Sequence, residues 1–520
     1  MTKLSTLLVF IVCSLALSAQ ENKEVEKPLP VAKSFITENQ ITNGGKLIKY
    51  KAIASETYLK NEADSAVASI WSVAYIQEGI SDQTKRPVTF IFNGGPGSAS
   101  LWLHLGLFGP ELVKVNSDAV EDDGAAPYHL VSNENGILDL TDLVFIDPVG
   151  TGYSRVIGKG KTKDFWGLKE DANSIAGFIR QWITENNRWF SPKYIACESY
   201  GTVRAVEVAN VLEGGGQNVS LNGIIFISQC LDYEGSTSVD DNITSYLNYL
   251  PSMAAIAWYH KKAGQGKTLV SFIDECKNYT YNSYASVLYR GSLISETEKN
   301  EAAEKLSYFT GLKKDYILKS NLRILCPRFQ KELLADKGLA IGRMDGRYRG
   351  NEIDQNSDGL HLGDPSGYQI NSAYTAALNY YYASVLKVKM DRPYLTLSEK
   401  IEKKWSFRPV PEGEVWEPSY LNVARKLGET MRRNTAMKIL VASGYYDLTC
   451  PFADAEYTFS RNGIEREKVK MTYYEAGHMM YLHEPDYIKL SNDIREFLSN
   501  YKESFWERVP FFLNQTVISC

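Results

Sequence analysis

The sequence predicts an α/β fold in which a mostly parallel central sheet is flanked by helices and interrupted by an inserted, mainly helical cap. The first observation is that short apolar runs, typical of buried strands, recur along the 520-residue chain with polar or glycine-rich segments directly after them. The second is that helical patterns lie between several of these runs, which is typical of a parallel sheet covered by helices. The third is a change of composition in the middle of the chain.

Six apolar runs predict the strands of the sheet. They span residues 88–92, 143–146, 194–197, 223–228, 438–442 and 469–474. Helices are predicted over 171–182 and 202–212, and three glycines at 214–216 end the second helix. These elements lie on both sides of the middle of the chain, so we expect one sheet to be built from both halves.

The middle segment, residues 231–370, is rich in tyrosine and charged residues, and its strand signal fades. We therefore predict a cap at 231–370, inserted between a first core segment at 34–230 and a second at 371–505. Residues 20–33 form a charged, proline-containing linker, and 506–520 form a C-terminal tail.

The N-terminal residues 1–19 are predicted to be a signal peptide. Lys3 precedes an apolar stretch at 4–17 that ends in the small residues Ser18 and Ala19. A stretch of fourteen residues is short for a membrane span. Cys13 follows the bulky Val12 rather than the small residue that lipid attachment prefers. We therefore expect an exported protein, periplasmic or secreted, without a stable membrane anchor.

Composition excludes several classes of function. Hydrophobic residues make up 44% of the chain, enough for a large core. The 57 Lys and Arg against 62 Asp and Glu give a net charge of −5, which indicates no nucleic-acid partner. The cysteines are too few for a disulfide scaffold and lack zinc-site spacing, and a calcium-like run beginning at Asp354 has Pro365 at its twelfth position. No metal or cofactor is predicted.

Ser199 is the candidate nucleophile. It lies where a predicted strand runs into a predicted helix, with Gly201 two residues later, a pattern that resembles a nucleophile elbow. A serine hydroxyl is a poor nucleophile unless a tight turn lifts it out of the sheet beside a base. Cys197 replaces the first glycine of the usual pattern. The alternative is a buried serine at an ordinary helix start.

Three further segments favour the catalytic interpretation. The glycine-rich residues 93–98 follow a strand and can point backbone N–H groups at a developing oxyanion, although a plain tight turn is the alternative. Asp447 and His478 each follow a later strand, and the chain order Ser, Asp, His is that of α/β-hydrolases. His478 could otherwise be a core histidine, but its position after a strand favours a base.

These motifs resemble those of the serine carboxypeptidases, α/β-hydrolases that remove C-terminal residues from peptides at acid pH. Five ordered blocks carry the resemblance: 93–98, 147–154, 198–201, Asp447 with Cys450, and 477–479. The resemblance extends over nearly the whole mature chain. Ser98 stands where eukaryotic members often have a disulfide cysteine, which points to the bacterial branch of the family.

The resemblance implies a role for each matching residue. Ser199 would be the nucleophile that forms an acyl-enzyme, His478 the base, and Asp447 the residue that orients the base. The N–H groups of Gly95 and Tyr200 would form the oxyanion hole. The implied substrates are peptides with a free C-terminal carboxylate, and the oligomeric state is not indicated. The remaining implied substrate-binding residues are Asn93, Gly94, Glu198, Met479, Cys450 and Trp102.

Glu198 is implied to bind the substrate carboxylate together with Asn93 and Gly94. A carboxylic acid can recognise a carboxylate only if the two share a proton, and the proximity of like charges raises a pKa. Glu198 therefore predicts an exopeptidase that works below neutral pH. The alternative is that Glu198 packs in the elbow or pairs with Arg204. Leu107 stands where the family usually has a second acid.

Two other functions are compatible with the motifs. An esterase or acyltransferase could use the same triad, because a fold does not determine the acyl acceptor. A catalytically inactive hydrolase fold could act as a binding module, although intact Ser199, Asp447 and His478 argue against it. The sequence does not define the side-chain preference or the physiological substrate.

Overall fold

The computed structural model describes Leu29 and residues 31–507, apart from 117–118, 120–123, 215, 358 and 408–419, with side chains to residue 499. The predicted signal peptide, most of the predicted linker and residues 508–520 of the predicted tail lie outside the described residues. The signal peptide therefore remains a prediction from the sequence.

The described residues form one large sheet and two small strand pairs. The strands are β1 (Ser34–Asn43), β2 (Lys46–Lys60), β3 (Ala66–Gln77), β4 (Val88–Phe92), β5 (Glu111–Lys114), β6 (His129–Ser132), β7 (Asp142–Asp147), β8 (Arg155–Val156), β9 (Lys193–Ser199), β10 (Gly223–Gln229), β11 (Leu339–Ile341), β12 (Arg349–Asn351), β13 (Lys438–Gly444) and β14 (Val469–Tyr474). The large sheet has the order β1-β2-β3-β7-β4-β9-β10-β13-β14, with β8 on β3, while β5-β6 and β11-β12 form separate pairs.

The six strands from β7 to β14 in this order are parallel, and they contain the six apolar runs of the sequence. In β4, Phe90 lies opposite Val144 on one side and Ile195 on the other. Phe90 and Phe92 contribute to one apolar cluster, whereas Ile91 between them contributes to the other. Alternate residues thus face opposite sides of the sheet, and both sides are covered. The predicted α/β fold is confirmed.

The antiparallel strands β1, β2 and β3 extend the sheet at one edge and were not among the predicted strands. β1 pairs with β2 from Ser34 opposite Ser55 to Asn43 opposite Lys46. In β2, buried residues such as Ile48, Tyr50 and Ala52 alternate with exposed ones. Because only one face of β2 is buried, its sequence alternates and contains no continuous apolar run.

The described residues also form α-helices, several of which cover the two faces of the sheet. They are α1 (Leu101–Leu103), α2 (Leu168–Glu185), α3 (Tyr200–Gly214), α4 (Tyr233–Ser236), α5 (Ile243–Tyr259), α6 (Leu269–Tyr279), α7 (Ala285–Arg290), α8 (Glu296–Thr310), α9 (Lys314–Lys319), α10 (Cys326–Glu332), α11 (Pro365–Ser384), α12 (Glu399–Glu402), α13 (Ala424–Arg433), α14 (Phe452–Phe459) and α15 (Glu484–Glu507). Helices α2, α3 and α13 pack in the cluster on one face, and α11 and α15 in the cluster on the other. The predicted helices at 171–182 and 202–212 lie within α2 and α3.

The chain between β10 and β13 is mainly helical and has a third apolar cluster. That cluster includes Phe272, Leu306 and Phe329 of the insertion together with Leu448 and Phe452, which follow β13. The inserted helices therefore pack against the loop that follows β13. The cap boundaries at 231–370 remain a prediction. None of the helices in the described ranges has the length and apolar character needed to cross a membrane.

Candidate active site

Three of the predicted catalytic residues follow three parallel strands. Ser199 ends β9, Asp447 lies three residues after β13 ends, and His478 lies four residues after β14 ends. The carboxyl ends of parallel strands lie at the same edge of a sheet, which is where α/β proteins bind ligands. The strand order therefore brings residues that are far apart in sequence to one edge.

Ser199 lies on a sharp turn between β9 and α3. Its φ is +59°, which is unusual for a residue other than glycine and typical of a nucleophile elbow. Two neighbouring glycines allow the turn. A Cβ on Gly94 would lie 2.5 Å from the backbone N of Tyr200, and one on Gly201 would lie 3.1 Å from the backbone of Asn93. The glycine-rich loop can approach the elbow only because neither residue has a side chain.

His478 and Asp447 form a buried hydrogen-bonded pair. Nδ1 of His478 lies 2.8 Å from Oδ2 of Asp447. The other carboxylate oxygen accepts hydrogen bonds from the N–H groups of Thr449, at 2.6 Å, and Cys450, at 2.9 Å. Burial lowers the pKa of His478, but the charge and hydrogen bond of Asp447, with a smaller contribution from Glu198, raise it to about 9. Asp447 therefore orients the ring and stabilises its protonated form.

The loop that carries His478 is held by its backbone. The N–H of His478 donates to the carbonyl of Met344 at 2.6 Å, and the hydroxyl of Ser228 donates to the carbonyl of His478 at 2.7 Å. A Cβ on Gly444 would lie 2.2 Å from the carbonyl oxygen of Gly477, so the loops after β13 and β14 are in direct backbone contact. This contact keeps the Asp447 and His478 loops together.

The predicted oxyanion hole consists of the N–H groups of Gly95 and Tyr200. Gly95 has a φ of +103°, a conformation that glycine adopts without strain, and Tyr200 is the first residue of α3. Among the described residues, none accepts a hydrogen bond from either N–H. Both are therefore available as donors beside Ser199.

Glu198 is buried next to the elbow, with 3% of its surface exposed. Its Oε2 accepts hydrogen bonds from Nδ2 of Asn93, at 2.9 Å, and from the hydroxyl of Tyr481, at 2.8 Å. The amide oxygen of Asn93 accepts a bond from the N–H of Leu103 at 3.0 Å, so its NH2 group must face Glu198. Burial raises the pKa of Glu198 to about 7, although His478 and these hydrogen bonds oppose the rise.

The alternative partner proposed for Glu198, Arg204, is contradicted by the structure. Nε of Arg204 lies 2.6 Å from a carboxylate oxygen of Asp171, with which it forms a buried ion pair. A second guanidinium nitrogen of Arg204 donates to the carbonyl of Asn93. Arg204 therefore holds the glycine-rich loop and leaves Glu198 without a cationic partner among the described arginines and lysines.

Sequence reasoning missed Tyr481. Its ring occupies space that exists because residue 106 is glycine: a Cβ there would lie 2.4 Å from Cε2 of Tyr481. Gly106 is the neighbour of Leu107, which stands where the family's second acid was expected. The one available signal was the proximity of Tyr481 to His478, three residues earlier in the chain.

A cleft of about 630 Å³ opens beside Ser199. Gly95, Tyr200 and Cys450 line it, as predicted for residues near the substrate. The insertion completes the lining with Tyr233, Ser236, Thr237, Ser238, Val239, Tyr249, Cys326, Pro327, Gln330, Arg343 and Leu360. The cleft therefore lies between the core and the inserted helices.

Trp102 and Met479 do not line this cleft. Trp102 packs on Tyr374 with ring centroids 4.9 Å apart and donates to the hydroxyl of Ser98 at 3.1 Å. Met479 is buried in the apolar cluster that also contains Tyr481. The proposed role of both residues in substrate binding remains a prediction.

Asp447, Cys450 and His478 have potential metal-ligand atoms within 4.8 Å of one another. Both carboxylate oxygens of Asp447 already accept hydrogen bonds from protein groups. A metal ion would have to displace the contact that orients His478. The donor set therefore suits a hydrogen-bonded catalytic pair better than a metal centre.

A mostly parallel sheet with a serine elbow, followed in sequence by Asp and His loops at the same edge, defines an α/β-hydrolase. The profile described as serine carboxypeptidase matches residues 71–484, and the chain belongs to this family. The protein is a serine-type carboxypeptidase, a hydrolase of peptide bonds.

The chain is similar to solved structures of low sequence identity. Kex1Δp, a prohormone-processing carboxypeptidase from Saccharomyces cerevisiae, is 15% identical with a TM-score of 0.55, covering 88% of this chain and 92% of its own. Proline iminopeptidase from Mycobacterium smegmatis is 12% identical with a TM-score of 0.34, covering 90% and 99%. A search of curated proteins gave no significant match.

Proposed function

We propose that the protein removes C-terminal residues from peptides through an acyl-enzyme on Ser199 and that it works best at acid pH. The observation that carries this proposal is Glu198, a buried acid next to the nucleophile whose pKa is raised to about 7. Burial of an acid without a cation is unfavourable, so its retention beside Ser199 favours a role in binding.

Ser199 would attack the scissile carbonyl while His478 accepts the hydroxyl proton. The oxyanion that develops would receive hydrogen bonds from the N–H groups of Gly95 and Tyr200. His478 would then protonate the departing amine, leaving an ester between Ser199 and the rest of the peptide. Water, activated by the same imidazole, would hydrolyse this ester and restore the serine.

Glu198 would recognise the terminal carboxylate by sharing a proton with it. Oε2 of Glu198 is held by Asn93 and Tyr481, whereas Oε1 accepts no hydrogen bond from the described residues. Oε1 is therefore the atom that can donate a proton to a ligand carboxylate when Glu198 is protonated. An ionised Glu198 would repel that carboxylate, so binding should weaken as pH rises.

Glu198 and His478 influence each other's ionisation. The charge of Glu198 raises the pKa of His478, and the charge of His478 lowers that of Glu198. When Glu198 and His478 together hold one titratable proton, that proton can lie on His478, which gives a carboxylate and an imidazolium. It can instead lie on Glu198, which leaves both groups neutral. A bound carboxylate disfavours ionised Glu198, so we infer that substrate binding shifts the pair toward the neutral base that catalysis requires.

We infer export to the periplasm or cell exterior from the pattern at 1–19, and membership of the bacterial branch from Ser98. The described cysteines, at 197, 230, 276, 326 and 450, are all free, which agrees with the absence of the eukaryotic-type bridge at residue 98. The boundaries of the core and cap, and the roles of the site residues, are part of the same proposal.

Product analysis by mass spectrometry tests this function. The purified protein should shorten a set of free-acid peptides from the C-terminus, one residue at a time, and leave the same peptides with a C-terminal amide largely intact. A fluorophosphonate should add one label to the wild-type protein and none to Ser199→Ala. Equal cleavage of acids and amides, or hydrolysis of small esters alone, would favour the esterase or acyltransferase alternative.

A further inference from the structure

One arginine side chain lines the cleft beside Ser199. Arg343 lines the cleft together with Ser199 and Cys450. Within the described ranges, its guanidinium makes no ion pair or hydrogen bond, unlike that of nearby Arg347, which pairs with Asp345 at 2.7 Å. Arg343 is exposed to the solvent of the cleft. A cation facing a substrate cleft without an internal partner is available to bind a ligand anion.

The backbone of Arg343 is anchored to the catalytic loops. Its carbonyl accepts a hydrogen bond from the N–H of Leu448, the residue after Asp447, at 2.9 Å. The carbonyl of the next residue, Met344, accepts from the N–H of His478 at 2.6 Å. Arg343 is therefore held at a defined distance from the proposed triad, as a specificity residue must be.

Burial lowers the pKa of Arg343, but Tyr249, Cys326, Cys450 and the carboxylate of Asp447 lie close enough to raise it. Tyr249 and Cys326 lie close enough for the charge of Arg343 to lower their pKa values, although burial raises both above the usual range. The other charged side chain of the lining is Glu402, which makes no ion pair with Arg343. Ile401, the neighbour of Glu402, packs against Gly97 near the glycine-rich loop, whereas Arg343 faces α5 and α10.

The cleft beside Ser199 and the Glu198 cluster are lined by different residues. Asn93, Glu198 and Tyr481 are not among the lining residues of the cleft. If the departing C-terminal residue is bound at Glu198, the cleft receives the peptide segment on the other side of the scissile bond. The first side chain of that segment belongs to the penultimate residue, which becomes acylated to Ser199.

We propose that Arg343 is a specificity-determining residue that selects peptides with an acidic side chain, Asp or Glu, at the penultimate position. The inference rests on the proposed carboxypeptidase function and adds a substrate class to it. The guanidinium offers paired N–H donors that match a carboxylate, and a charge-assisted pair of this kind favours Glu over the isosteric Gln by about tenfold. A penultimate Lys should be the poorest substrate.

A matched series of blocked dipeptides tests the inference. The series has Glu, Gln, Leu or Lys at the penultimate position and one constant C-terminal residue, and kcat/KM is measured at about pH 6, where a substrate Glu is ionised. The wild-type protein should show a Glu-to-Gln ratio of about ten. Arg343→Gln should reduce that ratio to about one, and Arg343→Glu should make Lys the preferred residue.

Arg425→Gln is the control variant, because Arg425 is an exposed arginine with a side chain 82% accessible and lies outside the cleft. It should retain the wild-type ratio. Thermal unfolding of the Arg343 variants checks their folding, which should persist because the guanidinium makes no bond that is lost. A second dipeptide series keeps the penultimate residue constant and varies the C-terminal residue. A preference for Asp or Glu at the C-terminal position, and not at the penultimate position, would overturn the assignment of the cleft to the penultimate side chain.

A wild-type ratio near one, or a ratio that survives Arg343→Gln, would overturn the inference. If Gln and Leu dipeptides are cleaved but Glu is not preferred, only this inference fails. If no dipeptide is cleaved while an activated ester is hydrolysed, the proposed function itself fails.

Discussion

The two sides of Ser199 are built differently. On one side, Glu198 is buried and held by Asn93 and Tyr481 through hydrogen bonds of 2.9 and 2.8 Å. On the other side, a cleft of about 630 Å³ is lined largely by the helical insertion and contains Arg343, whose guanidinium forms no ion pair with the residues that the structure describes. The first side is compact and internally bonded, whereas the second is open and its charged group is solvated.

This difference corresponds to what each side would recognise. Every peptide has the same terminal carboxylate, so a site for it can be rigid, and strand ends and the elbow provide that rigidity. Side chains vary, so a site for them is expected on inserted and loop segments that can differ without disturbing the sheet. Chemistry and carboxylate recognition would then belong to the core, and side-chain selection to the insertion.

Ser199→Ala should have the largest effect, because the proposed chemistry serves both sides. We expect kcat to fall by about 10⁴-fold or more for peptides and esters alike, since nucleophile and base act as a unit. Circular dichroism should show an intact fold, because alanine removes only the hydroxyl. Near-normal turnover in the folded variant would contradict the assignment of the nucleophile.

Gly106→Ala should damage the Glu198 side selectively. The new Cβ would lie 2.4 Å from Cε2 of Tyr481 and 2.7 Å from the hydroxyl oxygen of Tyr374, so the Tyr481 ring, whose hydroxyl bonds Glu198, must shift. Overpacking of this kind costs about 1–3 kcal/mol in the free energy of unfolding. We expect kcat/KM for free-acid peptides to fall about tenfold, because the shifted ring displaces the packing around Glu198 in addition to weakening its hydrogen bond, and small displacements of a binding group are costly.

Gly177→Ala provides a control for Gly106→Ala, because a Cβ at Gly177 meets no atom within 4 Å. This variant should retain wild-type peptide activity and be at least as stable as the wild type, because Gly177 lies inside α2, where alanine is favoured over glycine. Hydrolysis of a small ester should change less than peptide hydrolysis in Gly106→Ala. An equal loss for ester and peptide would show that Gly106 supports the whole site rather than the Glu198 side.

Tyr481→Phe should have a smaller effect, visible mainly in the pH profile. The hydroxyl of Tyr481 donates to Glu198 and lowers its pKa, so its removal should raise that pKa further. The loss of peptide activity at high pH should then move upward by about one pH unit. Tyr289→Phe, at a tyrosine that is 85% exposed, should not move it.

The parallel strands and the triad were predictable because their signals are local. Strands such as β4 are buried on both faces and form continuous apolar runs, and Ser199, Asp447 and His478 each follow such a strand. Strand β2, which lies between the edge strand β1 and β3, alternates between buried and exposed residues and was not predicted. Because other elements cover only one face of β2, its sequence contains no continuous apolar run that would predict a strand.

The partners of Glu198 were harder to predict because they are distant in sequence. Tyr481 lies 283 residues from Glu198, and its access depends on the absence of a side chain at Gly106. The sequence indicated that Leu107 could not supply the second acid, but it did not indicate which residue occupied the space. Arg343 was missed for a similar reason, since only the packing of the insertion brings it to Ser199.

The most direct test of Glu198 is the pH dependence of kcat/KM for three substrates: a free-acid peptide, its C-terminal amide and a small ester. A range from about pH 4 to 10 brackets the carboxyl and the imidazole. In the wild-type protein, peptide activity should fall as pH rises through the raised pKa of Glu198, about 7, because the ionised acid repels the substrate. Ester activity should instead rise through the raised pKa of His478, about 9, because the base must be neutral.

Glu198→Gln should change both profiles in defined directions. Glutamine is a permanent donor of nearly the same shape, so the fall of peptide activity toward neutral pH should flatten. Removal of the Glu198 charge should lower the pKa of His478 and move the rise of ester activity to lower pH. Identical peptide profiles in the wild-type protein and Glu198→Gln would contradict the recognition of the C-terminus by this carboxyl and would favour the esterase or acyltransferase alternative.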